Sequence, residues 1–300
     1  MAPCFLIFWR LDCVSIGSYE FFMEIKRKIS IALNILHKQG LFLGGKYILS
    51  YFLEDIWLLG KVIELRGNVT HLDGCTFYLD SSFIDTKLKS RFLLKSWEME
   101  TRYLIKKYLP NHLPIIEFGA CMGVVSCITN KLLTDPDSHI VVEANRNLIP
   151  IIKMHREKND CRFKIMNAAI AYGTKKTSFY MDQRINEGST IRRTSEPITV
   201  PAISLKAILQ QGEFSKASLI CDIEGSEIDL FANEGSVISD HIERVVLEIH
   251  SRDTPDEAQS NLELLGFTLI EQFNRDCIYH NDRFNVFAQS GYRSGFFANT

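Results

Sequence analysis

The chain has 300 residues, of which 46% are hydrophobic and 23% are charged, and this composition is that of a globular protein and excludes a disordered chain. The length predicts one core domain with an extension. A net charge of −2 excludes a global basic field, so we expect no nucleic-acid partner. The eight cysteines form no C-x-x-C pair and no Cys/His ligand spacing, which predicts free thiols and a cytoplasmic location.

The N-terminal segment is apolar without resembling a membrane span. Arg10 and Asp12 interrupt residues 1–22 far short of the ~20 apolar residues that a span needs. The basic-then-apolar order of a signal peptide is also missing. Because Met23 is an alternative start, the sequence leaves open whether residues 1–22 are a native, ordered part of the protein.

Residues 23–96 are predicted to form an extension of helices and a β-hairpin. Apolar residues repeat at helical spacing from about residue 24 to residue 61, with basic residues between them. This pattern favours a helical layer packed on the main domain or on a partner. It leaves open a membrane-surface contact through residues 24–60, which would place the protein at the inner face of a membrane.

Two further elements complete the predicted extension and lead into the core. Alternating residues punctuated by Gly67 and Gly74 predict a β-hairpin over residues 67–82. A helix is predicted from about Asp85 to Tyr108, and Pro110 closes it.

Residues 97–290 are predicted to form the core domain, followed by a tail over residues 291–300. Short, continuously apolar strands alternate with amphipathic segments there, which predicts a doubly wound α/β domain with a mostly parallel sheet. Residues 276–280 and 285–289 are predicted as late antiparallel strands, and residues 184–197 as a loop. The predicted parallel strands are 113–119, 138–144, 162–168, 218–223, 244–250 and 267–273.

Polar side chains follow these predicted strands at the points where they end. Ligands of doubly wound sheets bind outside the carboxyl ends of the strands, so these residues are candidates for one site. Several carboxylates on one rim would repel each other unless a ligand with hydroxyls and positive charge lies between them. The residues are Glu117, Gly119, Glu143, Asn167, Asp222, Glu224, Glu248 and His250.

The segment "EFGACMG" carries a glycine motif at a strand end, with Gly119 and Gly123 four residues apart. Dinucleotide enzymes use G-x-G-x-x-G, whose second glycine makes room for a pyrophosphate. Cys121 fills that position here, so a pyrophosphate fits poorly, although an ordinary strand-to-helix turn stays an open alternative. Glu143, 26 residues after Glu117, is placed to accept hydrogen bonds from ribose hydroxyls; a solvated strand end is the alternative. A nucleoside that carries an amino acid and a sulfonium but no pyrophosphate is S-adenosylmethionine.

The sequence resembles the FkbM-type methyltransferases, within the class I S-adenosylmethionine-dependent fold, over roughly residues 97–250. The resemblance implies a seven-stranded Rossmann-like sheet. Many family members have a lysine two residues before Asp222, where this chain has Ile220, which leaves any role of that lysine unfilled. The motifs that carry the resemblance are "WEMETRYLIKKYLP", "IIEFGACMGVVS", "VVEANRN", "NAAIAYG", "TVPAISL", "SLICDIEGSEIDLF" and "VVLEIH".

The resemblance implies a site and an activity. Glu143 would hold the ribose, and Asn167 and Ala168 would flank the adenine. The activity implied is O-methylation of a hydroxyl on a sugar, a polysaccharide or a secondary-metabolite scaffold. The residues implied for the methionine part of the cofactor are Glu117, Gly119 and Gly123; Ala120, Asn145 and Asp222 complete the expected cofactor-binding set.

For Asp222 and Glu224 several roles stay open at this point. They could attract the cofactor, act as general base towards the acceptor hydroxyl, hold a divalent metal together with Glu248 and His250, or serve the structure alone. A metal is the less favoured alternative. His250 is also a candidate proton-transfer group, because its unperturbed pKa lies near ~6.5.

Two further features stay as expectations. Glu227 is predicted to begin a helix, where negative charge is favoured. Arginines 184, 192 and 193 are candidates for gripping a phosphate or carboxylate on the acceptor. The competing functions are an NAD-type oxidoreductase, which Cys121 disfavours, and a non-catalytic binding protein with the same fold. The oligomeric state does not follow from the sequence.

Overall fold

The computed structural model describes residues 57–181, 197–249, 255–276 and 281–289. The described residues form two compact units. One contains residues 57–67 and 85–97, and the other contains residues 68–84 and the described residues from 98 onward. The predictions for residues 1–56, for the loop with arginines 184, 192 and 193, for His250 and for the tail lie outside the described residues.

The smaller unit consists of helices α1 (Trp57–Leu65) and α2 (Thr86–Leu93). The two helices approach closely, because a Cβ on Gly60 would lie 1.8 Å from the backbone oxygen of Thr86. Asp85 caps α2 by accepting a hydrogen bond from the Leu88 N–H at 2.7 Å. The ring of Phe92 stacks on the ring of Trp97.

The predicted single helix from Asp85 to Tyr108 is wrong. The structure has two helices there, because α2 ends at Leu93 and α3 (Met99–Tyr108) begins after a break. Lys95 and Glu98 both adopt positive φ in the break, at 59° and 49°, which interrupts helical hydrogen bonding. The predicted end is confirmed: Leu109 is extended, as expected for a residue before proline.

The predicted hairpin is confirmed by β1 (Val69–Leu72) and β2 (Cys75–Tyr78), which pair antiparallel. Asp73 and Gly74 form the turn with positive φ at both residues, as a two-residue hairpin loop requires. The carboxylate of Asp73 pairs with Arg102 and Lys106 of α3. The hairpin therefore fixes α3, and this matters for the site because Glu98 immediately precedes that helix.

The main sheet has five parallel strands, in the order β5-β4-β3-β9-β10, and two further strands continue it as β10-β12-β11. The strand β12 runs antiparallel to both of its neighbours. The predicted α/β class is thus confirmed. The bounds are β3 (Ile115–Phe118), β4 (His139–Val142), β5 (Lys164–Met166), β9 (Ala217–Cys221), β10 (Ile242–Ile249), β11 (Phe267–Asp276) and β12 (Asn281–Gln289).

Helices connect the strands: α4 (Val124–Leu132), α5 (Ile149–Lys158), α6 (Leu205–Gly212), α7 (Glu227–His241) and α8 (Pro255–Leu264). A smaller sheet has the order β6-β8-β7, formed by β6 (Ala169–Ile170), β7 (Lys176–Tyr180) and β8 (Pro197–Ile203). No helix within the described ranges combines the length and the apolar character that crossing a bilayer requires.

Alternate side chains of the parallel strands enter two different cores. Ile116 and Phe118 pack with residues of α6, α7 and α8 in one cluster. Ile115 and Ile220 pack with Leu104 of α3 in another. Both faces of the sheet are therefore covered, which explains why strands such as β3 and β9 are buried at every position.

Candidate functional site

The strand order places the candidate residues at one edge of the sheet. The chain leaves β3 through β4 to β5 and then returns to β9, on the other side of β3. Doubly wound sheets bind ligands at this reversal, outside the carboxyl ends of the strands. The segments that follow β3, β4, β5 and β9 carry most of the predicted site residues, and Glu248 lies near the end of β10.

The glycine loop, residues 119–123, lies against the segment that follows β9. Gly119 has φ of +83°, and a Cβ on it would lie 1.6 Å from the backbone oxygen of Asp222. A glycine is therefore required here by close approach as well as by conformation. Gly123 has φ of +76°, and its missing side chain makes room for Ile152 of α5, since a Cβ would lie 3.1 Å from that side chain. Packing against α5 therefore explains why a glycine stands at position 123.

Glu143 lies directly after β4 and ties two loops together. Its side chain is buried, with Oε2 accepting the Cys121 N–H at 2.8 Å and Oε1 accepting the Asn145 N–H at 2.7 Å. Burial raises the pKa of the Glu143 carboxyl to about 7, against the opposing effect of these N–H groups and that of Ala120. A carboxylate has about four acceptor positions, so Glu143 retains capacity for a ligand hydroxyl.

Asn167 and Ala168 complete this end of the edge. The Asn167 side-chain amide donates to the backbone oxygens of Glu143 at 2.8 Å and Ala144 at 3.0 Å. The Ala168 N–H donates to the same Glu143 oxygen. Asn167 therefore holds the backbone after β4 in place, and its predicted contact with an adenine stays a prediction.

Glu117 was predicted as a rim residue, but its carboxylate lies inside the protein. It is 1% exposed; Oε1 accepts the Ser126 hydroxyl at 2.6 Å, and Oε2 lies 3.1 Å from His139 Nε2. The Asn130 amide nitrogen lies 3.4 Å from His139 Nδ1, and because an amide nitrogen only donates, Nε2 carries the hydrogen that Glu117 accepts. These contacts link β3, β4 and α4 beneath the glycine loop.

Glu227 organises the segment that follows β9. It begins α7, as predicted, and it is also 1% exposed. Its Oε1 accepts the backbone N–H groups of Ile223 at 3.3 Å and Gly225 at 3.2 Å. Glu224 and Gly225 both have positive φ. The carboxylate of Glu227 therefore stabilises a tight turn between Asp222 and α7.

Three carboxylates meet beside this turn. One oxygen each from Glu98, Asp222 and Glu248 lies within 4.8 Å of the others, and all three residues are partly exposed; we call this group the acidic triad. The group contains Asp222 and Glu248 of the less favoured metal alternative, together with Glu98 and without Glu224. His250, the fourth residue of that alternative, lies outside the described residues. Sequence reasoning missed Glu98, although it lies in the quoted segment "WEMETRY".

Two members of the acidic triad, Glu98 and Asp222, act electrostatically on Cys121 of the glycine loop. Burial raises the pKa of the Cys121 thiol well above its usual range, and the negative charges of Glu143, Glu98 and Asp222 add to the shift. Thiolates rather than thiols are nucleophiles. The Cys121 thiol, within the glycine loop, therefore stays protonated and unreactive at neutral pH.

Comparison with protein families gives one match. The family model described as the methyltransferase FkbM domain matches residues 117–280. The match includes Gly119, Glu143, Asp222 and Glu248 but begins after Glu98. A search of curated proteins gave no significant match.

Solved structures with a similar backbone include three methyltransferases. Precorrin-6y C5,15-methyltransferase from Geobacter metallireducens has 15% identity and a TM-score of 0.40, covering 65% of this chain and 87% of its own. Ribosomal protein L11 methylase from Lactobacillus delbrueckii has 10% identity and a TM-score of 0.40, covering 64% and 77%. Magnesium protoporphyrin IX methyltransferase from Synechocystis, with bound S-adenosylmethionine, has 10% identity and a TM-score of 0.40, covering 66% and 84%.

Proposed function

The chain belongs to the family of methyltransferase FkbM domains, and on that premise we propose that it transfers a methyl group from S-adenosylmethionine to a hydroxyl oxygen. The observation that carries the proposal is the placement of Glu143 and Asp222, which both contact the glycine loop. Glu143 bonds the loop amide of Cys121, and the Asp222 backbone lies against Gly119.

The acceptor and donor groups of the edge fit this cofactor. Glu143 offers carboxylate oxygens to the two ribose hydroxyls, and the acidic triad offers negative charge to a cationic methionine part. S-adenosylmethionine supplies an activated methyl group on a sulfonium. Both groups carry negative charge, which favours a nucleoside with positive charge.

Asp222 is the residue that we assign as general base. It follows β9 beside the glycine loop, where the acceptor hydroxyl would meet the methyl group, and a positioned base contributes about 10²–10⁴-fold to such reactions. Glu224, in the turn that Glu227 stabilises, and His250 are the further candidates for proton transfer. The protonated thiol of Cys121 does not compete with the acceptor for the methyl group.

The acceptor that we propose is a small molecule or glycan with a free hydroxyl, such as a sugar, a polysaccharide or a secondary-metabolite scaffold. This proposal rests on the family. The net charge of −2 supports the absence of a nucleic-acid acceptor. The free thiols of the described cysteines support a cytoplasmic location.

Calorimetry and a transfer assay together test the proposal. S-adenosylhomocysteine should bind the wild type, and S-adenosylmethionine with a ¹³C-labelled methyl should give a new O-methyl signal in NMR spectra of an accepted hydroxyl compound. Binding without transfer to any member of a broad acceptor panel would favour the non-catalytic binding protein. Binding of NAD in place of S-adenosylhomocysteine would favour the oxidoreductase.

A metal is tested in the same assay. The acidic triad has the oxygen chemistry that Mg²⁺ and Mn²⁺ prefer, and the triad would then hold an ion rather than attract the cofactor. We propose direct use of the triad by the cationic cofactor, which predicts that transfer continues in EDTA. Loss of transfer in EDTA with rescue by Mg²⁺ would establish the metal alternative.

A further inference from the structure

One backbone amide of the glycine loop, that of Cys121, donates a hydrogen bond to a side chain of the chain itself. Glu143 accepts the Cys121 N–H at 2.8 Å and the Asn145 N–H at 2.7 Å, and the nearby Ala120 N–H also lowers the pKa of its carboxyl. The donors come from two loops, one after β3 and one after β4. The receiving carboxylate is 6% exposed, so these bonds form away from bulk water.

Amides in this position have a known alternative use in α/β folds. Consecutive backbone N–H groups in a glycine-rich turn bind phosphate, because they present several donors to an anion at a helix start. A carboxylate is also an anion that accepts such bonds. In this chain an internal anion therefore occupies a loop donor, the Cys121 N–H, that a phosphate could otherwise use.

We propose that Glu143 is a specificity-determining residue that closes the glycine loop to phosphate, so that the chain selects a phosphate-free nucleoside. This inference adds a specificity-determining role to the proposed function, and it rests on that function for the identity of the nucleoside ligand. Glu143 then has two roles, because one part of the carboxylate holds the loop amides and the remaining acceptor positions serve the ribose.

Two different physical causes could also make phosphate bind poorly. The side chain of Cys121 stands where dinucleotide enzymes have a glycine. The charges of Glu98 and Asp222, which act on Cys121, could also repel phosphate through space. Each cause predicts a different variant or condition that would admit phosphate.

The test is calorimetric titration with adenosine and with ADP at pH 8, where the Glu143 carboxyl is ionised. The proteins are the full-length wild type, Glu143→Gln, Cys121→Gly and the double variant. We expect the wild type to prefer adenosine. Glu143→Gln turns one acceptor oxygen into a donor and releases an amide, so ADP affinity should rise relative to adenosine by about tenfold or more, the effect of one hydrogen bond to a charged group.

The control is Cys121→Gly, which suits the residue's φ of 49° and should therefore fold. We expect it to leave the preference unchanged while Glu143 still holds the amides. An equal gain of ADP binding in Cys121→Gly, or an unchanged preference in Glu143→Gln, would overturn the proposal. If ADP instead binds the wild type as well as adenosine in 0.5 M salt, where exposed charges are screened, charge repulsion is the cause and the proposal is also overturned.

Two measurements keep the test decisive. Circular dichroism shows whether Glu143→Gln is folded; if it is not, Glu143→Asp, which keeps the charge but draws it back by one methylene, replaces it with a smaller expected gain. Titration of the wild type with S-adenosylhomocysteine separates the two proposals. If S-adenosylhomocysteine binds but the ADP preference is unchanged in the variants, only the proposed role of Glu143 in excluding phosphate is contradicted. If S-adenosylhomocysteine does not bind the wild type, the proposed function itself is contradicted.

Discussion

The glycine loop and the acidic triad lie at the same edge of the sheet, but their carboxylates are held in opposite ways. At the glycine loop, Glu143 is buried and accepts backbone N–H groups from two loops. At the acidic triad, three partly exposed carboxylates lie within 4.8 Å of one another. The first arrangement is built by the fold alone, whereas the second gathers negative charge that a cationic ligand would stabilise.

This difference teaches which end of the site depends on a ligand. Backbone hydrogen bonds keep Glu143 in place before anything binds, so the nucleoside end should be preorganised. Like charges at short distance raise the energy of the triad, so the transfer end should respond to the charge of its occupant. Four predictions separate the two regions, and they run from the largest expected effect to the smallest.

The largest effect is expected at the contact between the two regions. Gly119→Ala would place a Cβ 1.6 Å from the Asp222 backbone oxygen at a φ of +83°. Strain and overpacking together should cost about 3 kcal/mol or more of unfolding free energy in urea titrations. Gly173→Ala is the matched control, because its φ is +72° but no atom lies within 4 Å of the added Cβ. Its cost should be about 1 kcal/mol, and equal losses in both variants would show that the close contact does not matter.

The second effect divides catalysis from binding. Asp222→Asn should lower turnover by about 10²-fold or more, as expected for loss of a general base, while S-adenosylhomocysteine affinity changes little. Glu143→Ala should instead weaken S-adenosylhomocysteine binding by about tenfold or more, since hydrogen bonds to a charged group are lost. Steady-state kinetics and calorimetry measure the two effects. The opposite order would mean that the roles of the two residues are exchanged.

The buried carboxyl also predicts a pH dependence of stability. The folded pKa of Glu143 is raised to about 7 from an ordinary value of 4.5, so between these values the folded state binds more protons than the unfolded state. The contribution to stability is therefore present at low pH and is lost as pH rises from about 4.5 to about 7, on the order of 3 kcal/mol at about 1.4 kcal/mol per pKa unit. The difference between wild type and Glu143→Gln in urea unfolding at pH 5 and pH 7.5 isolates this group. A wild type that gains stability relative to the variant as pH rises would contradict the prediction.

The smallest effect is expected from relieving the acidic triad. Glu98→Gln removes one of three neighbouring charges, so the ligand-free protein should gain about 0.5–1 kcal/mol of unfolding free energy, while the affinity for a cationic cofactor falls. Glu157→Gln, at an exposed position of α5, is the control for a general loss of negative charge. A less stable Glu98→Gln protein would show that contacts of Glu98 within the protein outweigh the repulsion.

Much of the glycine-loop region could be predicted from the sequence. Apolar runs marked β3, β4 and β9, and Gly119 and Gly123 marked positions with positive φ. The end of β4 then placed Glu143 at the edge, because parallel strands all end on the same side. These are local signals, and each is complete within one short segment of the chain.

The acidic triad could not be predicted in the same way. Glu98 lies before α3, N-terminal to the glycine motif in the sequence. Its approach to Asp222 depends on how α3 packs on the sheet, and the spacing of apolar residues does not predict that packing. The break before α3 was missed because the segments on both sides of it are amphipathic and the break itself contains neither glycine nor proline. The buried position of the Glu117 carboxylate could not be predicted either. Its partners Ser126 and His139 lie in a helix and a strand, and nothing in their local sequence marks them as hydrogen-bond partners of Glu117.

The most direct test of the central claim is a crystal structure of the protein with S-adenosylhomocysteine. We predict ribose hydroxyls within hydrogen-bond distance of the Glu143 carboxylate, and the sulfur beside the glycine loop on the side of Asp222. A ligand bound elsewhere, or one whose ribose lies away from Glu143, would contradict the account.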